Sequence, residues 1–159
     1  MSPKVWTRII AVTICASGAV AAASLSIRAA RFAPIRVLFP VAAIFPLIFW
    51  ITVSGIGLWL WTGSPRSRIA ASVLLASQIP VVVAGSAIYW WHTPAQVALI
   101  FQRVGGQTLL GVTTKLGPAL SFWLGRPNQS TTLGINLVAV LCLYALLRSN
   151  KSLERSRER

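Results

Sequence analysis

Residues 37–61 read VLFPVAAIFPLIFWITVSGIGLWLW and contain no charged side chain. A helix rises about 1.5 Å per residue and the hydrocarbon core of a bilayer is about 30 Å thick, so this run is long enough to cross it. Three further runs are similarly apolar, at residues 9–27, 69–91 and 131–147. Together the four runs predict an all-α, polytopic membrane protein built as a four-transmembrane-helix bundle.

The segments outside these runs predict how the chain is organised. Residues 1–147 are expected to form a single membrane domain, followed by a basic cytoplasmic tail at residues 148–159. The long link between the third and fourth runs opens with Thr93, Pro94, Ala95 and Gln96, an arrangement typical of a helix start. We therefore expect an interfacial or re-entrant helical segment within residues 92–128.

The first apolar run allows two interpretations. Lys4 and Arg8 precede it and small residues end it, as in a cleaved secretory signal. Its 19 residues exceed the usual apolar core of a signal, and its small residues recur at four-residue spacing. That spacing lets helix backbones approach closely in lipid. A retained first helix is the favoured interpretation, with cleavage as the alternative.

The distribution of basic residues predicts the orientation. The chain carries 15 basic and 2 acidic residues, a net charge of +13. With four spans, nine basic residues share a side with both termini and six lie on the other side. Because cytoplasmic loops carry the excess of Lys and Arg, we expect cytoplasmic termini in a bacterial inner (cell) membrane.

The basic charge also bears on partners. In a soluble protein such a charge would suggest nucleic acid, but here the basic residues lie between the apolar runs and at the chain ends, so no nucleic-acid partner is expected. Attraction to anionic lipid headgroups is expected from the tail. The residues assigned to this role are Arg148, Lys151, Arg155, Arg157 and Arg159.

Chemically reactive groups are scarce. The four predicted spans contain no Asp, Glu, Lys, Arg or His, and the only acidic side chains are Glu154 and Glu158. His92 is the sole histidine, and it follows Trp90 and Trp91 at the expected outer interface. General acid–base catalysis and hard-cation binding therefore lack their usual groups. No catalytic, cofactor-binding or metal-binding residue is predicted.

Helix packing supplies the remaining candidate residues. Small side chains on the first span predict a close helix contact, and the two amides inside later spans predict a hydrogen bond between the third and fourth helices. The residues assigned to helix packing are Ser17, Gly18, Ala21, Ala22, Gln78 and Asn136.

These observations favour a non-enzymatic integral membrane protein. Its expected role is that of an accessory or assembly subunit acting through helix–helix contacts, with a membrane-protein partner or further copies of itself. The alternatives are a holin-like or pore-forming protein, a small transporter of an apolar substrate, and an enzyme that uses a cofactor from a partner subunit.

Overall fold

A computed structural model describes residues 3–32, 38–84, 87–93, 95–104, 106–124 and 131–157. Four helices and six strands follow one another along the chain. The helices are α1 (Pro3–Phe32), α2 (Leu38–Trp61), α3 (Pro65–Ser77) and α4 (Leu137–Arg157). The strands are β1 (Pro80–Ala84), β2 (Ala87–His92), β3 (Ala95–Val104), β4 (Gln107–Leu116), β5 (Ala119–Leu124) and β6 (Thr131–Asn136).

The prediction of an all-α bundle is wrong, because an antiparallel sheet of six strands occupies the second half of the chain. The third apolar run contains most of α3, all of β1 and most of β2, and the fourth contains β6 and the start of α4. The link expected to be helical contains β3, β4 and β5. Within the segment predicted to be the basic tail, residues 148–157 continue α4.

Pro80 explains why the third run cannot remain helical. The residue before a proline is pushed away from the α region, so a helix tends to end before Ile79. Three valines follow at positions 81–83, and β-branched side chains favour a pleated strand. Accordingly α3 ends at Ser77, and β1 begins at Pro80.

Among the described residues, two helices are long and apolar enough to cross a membrane. They contain the stretches Lys4–Ala30 of α1 and Ile44–Trp61 of α2. Both present many exposed large apolar side chains, Val12 and Val20 on α1 and Ile48 and Leu58 on α2 among them. Lipid is an environment in which such surfaces remain stable. We call this antiparallel pair the helical hairpin.

Close backbone contact holds the helical hairpin together. A Cβ placed on Gly18 would lie 2.7 Å from the Trp50 carbonyl oxygen and 2.6 Å from the Ser54 Oγ. At Gly57, a Cβ would lie 2.5 Å from the Cys15 backbone nitrogen. The Ser54 hydroxyl donates a 3.0 Å hydrogen bond to the Cys15 carbonyl. Glycine at each position therefore permits the two backbones to approach this closely.

Aromatic side chains join the sheet to the helices. Trp91 of β2 packs edge-on against Phe49 of α2, with ring centroids 5.0 Å apart. The Tyr89 hydroxyl and the Trp91 indole N–H both donate to the Ser77 carbonyl, at 2.7 and 3.1 Å. These bonds satisfy a carbonyl in the last turn of α3 that has no partner within its own helix.

The sheet curls because one of its connections is short. Its strand order is β4-β3-β6-β1-β2-β5, so β2 and β3 lie three positions apart. In a flat sheet that separation would be about 14 Å. The chain from His92 to Ala95 spans only about 11 Å when fully extended. The sheet must therefore curve. Its concave side, which we call the inner face, carries side chains of β2, β3, β4 and β6.

Candidate functional site

Polar side chains lie where α3 ends, α4 begins and the chain passes from β2 to β3. Gln78 is the C-cap of α3 and Asn136 immediately precedes α4. The Asn136 backbone N–H donates a 2.8 Å hydrogen bond to the Ile79 carbonyl, which ties the two helix ends together. His92 and Thr93 end β2, and Gln96 lies near the start of β3. We call the set Gln78, His92, Thr93, Gln96 and Asn136 the polar junction.

Each of the three amide oxygens accepts a hydrogen bond from an N–H group. Gln78 Oε1 accepts from the Thr93 backbone N–H at 3.0 Å, and Gln96 Oε1 accepts from the Trp90 indole N–H at 2.7 Å. Asn136 Oδ1 accepts from the Val138 backbone N–H at 3.2 Å, the usual bond of a helix N-cap. Because a backbone or indole N–H can only donate, these contacts fix which end of each amide is the oxygen.

The opposite ends of the three amides are NH2 groups. Within the described part of the chain, Gln78 Nε2, Gln96 Nε2 and Asn136 Nδ2 have no hydrogen-bond partner. All three residues are at most 1% exposed, so solvent does not reach them. A buried polar group without a partner costs about 1–3 kcal/mol. The polar junction is therefore rich in unused donors.

His92 is a neutral member of the polar junction. Its ring stacks on Trp90 with centroids 5.9 Å apart, and neither ring nitrogen has a partner among the described residues. Burial, with a smaller contribution from the Lys115 charge, lowers the pKa of His92 from 6.5 to about 4. The imidazole is therefore uncharged at pH 7, with one donor and one acceptor nitrogen.

Lys115 brings a positive charge to the same place. It is the cross-strand partner of Gln96, and its Nζ lies 3.1 Å from the centroid of the Trp90 ring. Burial lowers the pKa of this ammonium group. Glu154, the one acidic residue within α4, lies about 27 Å along the helix from Asn136. Glu158 lies outside the described residues.

A mostly apolar groove leads to the polar junction from the side of α1 and α4. Its volume is about 860 Å³, within the range of about 300–1,000 Å³ typical of ligand pockets. Ile10 and Ile14 line it from α1, and Leu141 and Ala145 line it from α4. Thr93 also lines it, so one part of the groove reaches the polar junction. We call it the α1–α4 groove.

The predicted packing residues of the first span are used inside the chain. Gly18 contacts α2, and Ala21 belongs to the apolar core, against which Ala22 also packs. The Ser17 hydroxyl donates to the Thr13 carbonyl of its own helix at 2.7 Å. These contacts lie within the chain.

The two predicted amides, Gln78 and Asn136, do come together through neighbouring backbone. Their side chains are not hydrogen-bonded to each other, because each oxygen has a different donor and each NH2 group is unpartnered among the described residues. They lie at helix ends rather than within two adjacent membrane spans.

Of the predicted headgroup residues, Arg148 is exposed and lines the α1–α4 groove. The side chains of Lys151, Arg155 and Arg157 lie outside the described part of the structure, and so does all of Arg159. The headgroup role of this set stays a prediction.

Sequence reasoning missed Gln96, Thr93 and Lys115. Gln96 and Lys115 are 19 residues apart and meet only through the β3–β4 register. In the described residues no group of three or more His, Cys, Asp or Glu side chains is placed to hold a metal ion. The polar junction therefore offers NH2 donors and a neutral imidazole, and the ammonium group of Lys115 lies beside it.

Comparison with known proteins gives no relative: no family model, no curated protein and no solved structure matches this chain.

Proposed function

We propose that this chain is a non-enzymatic integral membrane protein that works as a subunit of an assembly. The helical hairpin anchors it in the cell membrane of a bacterium, with both termini in the cytoplasm. Copies join through strand β4 and not through α1, whose small-residue face already packs against α2. The exposed edge strand β4 is the observation that carries this proposal.

Strand β4 has few of the features that protect a sheet edge. It pairs with β3 on one side and ends the order of the described strands on the other. Its ten residues include no proline and only one charged side chain, Lys115, which contacts Trp90 on the inner face. Long apolar edges without charge or proline are prone to pair with another strand.

The outer face of the sheet beside β4 is apolar and uncovered. Phe101, Leu110, Val112, Leu133 and Ile135 are each about half exposed or more, and Leu116 is 92% exposed. Lipid cannot cover this region, because the open backbone of an edge strand is not tolerated in hydrocarbon. A protein strand supplies both backbone partners and an apolar face, so it suits the site better.

A second copy of the chain is the partner that we assign. Two β4 strands can pair antiparallel about a two-fold axis, since the same residues then meet on both sides. Such pairing extends the two sheets into one and covers the apolar face next to the edge.

Disulfide formation in the purified protein tests this pairing. In a chain carrying Cys15→Ala and Cys142→Ala, single cysteines replace Thr108, Leu110, Val112 or Thr114, which share one face of β4. We expect a crosslinked dimer with one maximum along the strand, where the two-fold axis passes. A cysteine at Ile51, which is exposed on α2, is the matched control. Crosslinking on β4 no stronger than at Ile51 would rule out the pairing.

A further inference from the structure

The α1–α4 groove follows both of its helices over several turns. Its lining residues on α4 recur at three- and four-residue spacing, the interval that places side chains on one face of a helix. They include Val138, Leu141, Ala145 and Arg148. On α1, Trp6, Ile10 and Thr13 recur in the same way. Between Val138 and Arg148 the helix rises about 15 Å, so the groove is a long channel and not a local depression.

The two ends of this channel differ in polarity. Arg148 lies at one end, and beside it the Ser149 hydroxyl is 3.1 Å from the Thr7 hydroxyl, a contact that joins α4 to α1. At the other end, where α4 begins, the Thr93 hydroxyl already donates to Gln78 Oε1 at 3.3 Å. The lining between the two ends is mostly apolar. The groove therefore has one charged end and an apolar length.

No described side chain balances the positive charge of Arg148. The chain has two acidic residues, Glu154 and Glu158, and neither side chain belongs to the described part of the structure. Glu154 lies six residues beyond Arg148 on α4, whereas side chains of a helix meet at spacings of three or four. Trp6 and Tyr144 also line the groove and are 44% and 60% exposed. Such amphipathic rings suit a boundary between an apolar channel and water.

We propose that the α1–α4 groove binds a fatty acid, with its carboxylate paired with Arg148 and its single acyl chain lying along α4 towards Val138. The guanidinium group can offer two parallel N–H donors to a carboxylate. An extended chain advances about 1.2 Å per bond, as the polypeptide backbone does, so about twelve carbons fill the channel. The apolar lining removes that chain from water. This site does not depend on β4 pairing.

Photo-crosslinking of the purified full chain in nanodiscs of phosphatidylcholine tests the site. The first probe is dodecanoate with a diazirine at the far end of its chain, and peptide mass spectrometry locates the crosslinks. We expect them around Val138 and Leu141, and we expect them to saturate. A second probe, with the diazirine next to the carboxylate, should react around Tyr144 and Arg148. Unlabelled dodecanoate should compete, whereas dodecyltrimethylammonium, which carries the same chain on a cationic head, should not.

Two variants separate the charge from the shape of the groove. Arg148→Gln removes the cation at an exposed position and should weaken binding about threefold to fivefold, because solvent screens an exposed ion pair. Leu141→Trp, also at an exposed position, fills the groove and should abolish saturable crosslinking. Arg66→Gln and Val140→Trp are the matched controls. Both positions are exposed and outside the groove lining, so both variants should bind as the parent chain does.

Saturable, charge-dependent crosslinks that respond to both variants support the proposal, and three other results would overturn it. Equal competition by the two amphiphiles, or binding by Arg148→Gln as tight as that of the parent chain, would show that the charge contributes nothing. Crosslinks that do not saturate, or that persist in Leu141→Trp, would place the probe in the bilayer and not in the groove. Loss of the crosslinks when phosphatidylglycerol is added to the nanodiscs would identify an anionic bilayer lipid, and not a fatty acid, as the occupant.

Discussion

At the scale of single residues, the glycines of the helical hairpin differ in how closely the opposite helix approaches them. Gly18 and Gly57 lie against the backbone of the opposite helix, whereas a Cβ on Gly55 would meet no atom within 4 Å. Replacing glycine by alanine at Gly18 therefore tests the contact between α1 and α2. The same replacement at Gly55 tests only the intrinsic helix preference of the residue.

Gly18→Ala should destabilise the protein by about 1–3 kcal/mol, the usual cost of overpacking, because its methyl group would overlap the Ser54 and Trp50 backbone. Gly55→Ala should cause no loss of stability. The free energy of unfolding of both variants is measured by reversible SDS titration in mixed micelles, with circular dichroism as the probe of unfolding. Equal stabilities would contradict the close contact between α1 and α2.

The low pKa of His92 in the folded protein predicts that the free energy of unfolding decreases at acidic pH. Its pKa is about 4 in the folded protein and about 6.5 when unfolded, so between these pH values the unfolded chain binds more protons. Stability therefore rises with pH through this window and is lost as pH falls from 6.5 towards 4. The expected loss is on the order of 2 kcal/mol. His92→Gln should flatten the dependence measured by chemical unfolding between pH 4 and 7. An unchanged slope would show that other groups cause it.

At the scale of secondary-structure elements, α3 begins with a complete cap. The Ser64 hydroxyl oxygen accepts from the Ser67 backbone N–H at 3.1 Å, and Pro65 occupies the first helical position. This arrangement satisfies one of the unpaired N–H groups at the helix start and presets the backbone for the helix.

Ser64→Ala should reduce the free energy of unfolding by about 1 kcal/mol, and Ser64→Asp should retain most of it, because Asp also accepts at an N-cap. The control is Ser26→Ala, whose exposed hydroxyl only bonds to the Ala22 carbonyl of its own helix. Denaturant titration in micelles measures all three. A loss at Ser26 equal to that at Ser64 would argue against the cap.

The elements also show what the sequence could predict. The apolar runs at residues 9–27 and 37–61 correctly indicated long helices, because only a helix uses so many consecutive apolar residues to cross a bilayer. The other two runs are equally apolar, but composition alone does not separate a buried strand from a helix. Pro80 and the valines that follow it carried the missing signal. The polar junction depends on strand register, and the sequence could not supply that.

At the scale of the whole molecule, two candidate spans change the expected topology. With four spans, residue 107 and residue 152 would lie on opposite sides of the membrane. If the two helices of the helical hairpin, the only candidate spans among the described residues, both cross the membrane, everything after Trp61 would lie on the side of the N-terminus. Arg28, Arg31 and Arg36 lie between the apolar runs 9–27 and 37–61, and the other twelve basic residues would share the remaining side.

Membrane-impermeant maleimide labelling of intact cells distinguishes these topologies. In a chain lacking Cys15 and Cys142, cysteines at Gln107 and Ser152 should both be unreactive until the cells are lysed. A cysteine at Ala33, between the two spans, should react from outside. Labelling of residue 107 but not residue 152 in intact cells would restore the four-span topology and contradict the helical hairpin as the sole anchor.

The central position of β6 has a consequence for how the chain folds. Among the described strands it is the last to be synthesised, yet it lies between β3 and β1 and alone joins the pair β3–β4 to the group β1, β2 and β5. Pairing β6 with β1 joins residues about fifty positions apart in the chain, and contacts of such long range slow folding. Until a ribosome has released residue 136, the hairpins formed by earlier strands have no partner between them. The sheet of the nascent chain therefore stays incomplete until β6 is free to pair with β1 and β3.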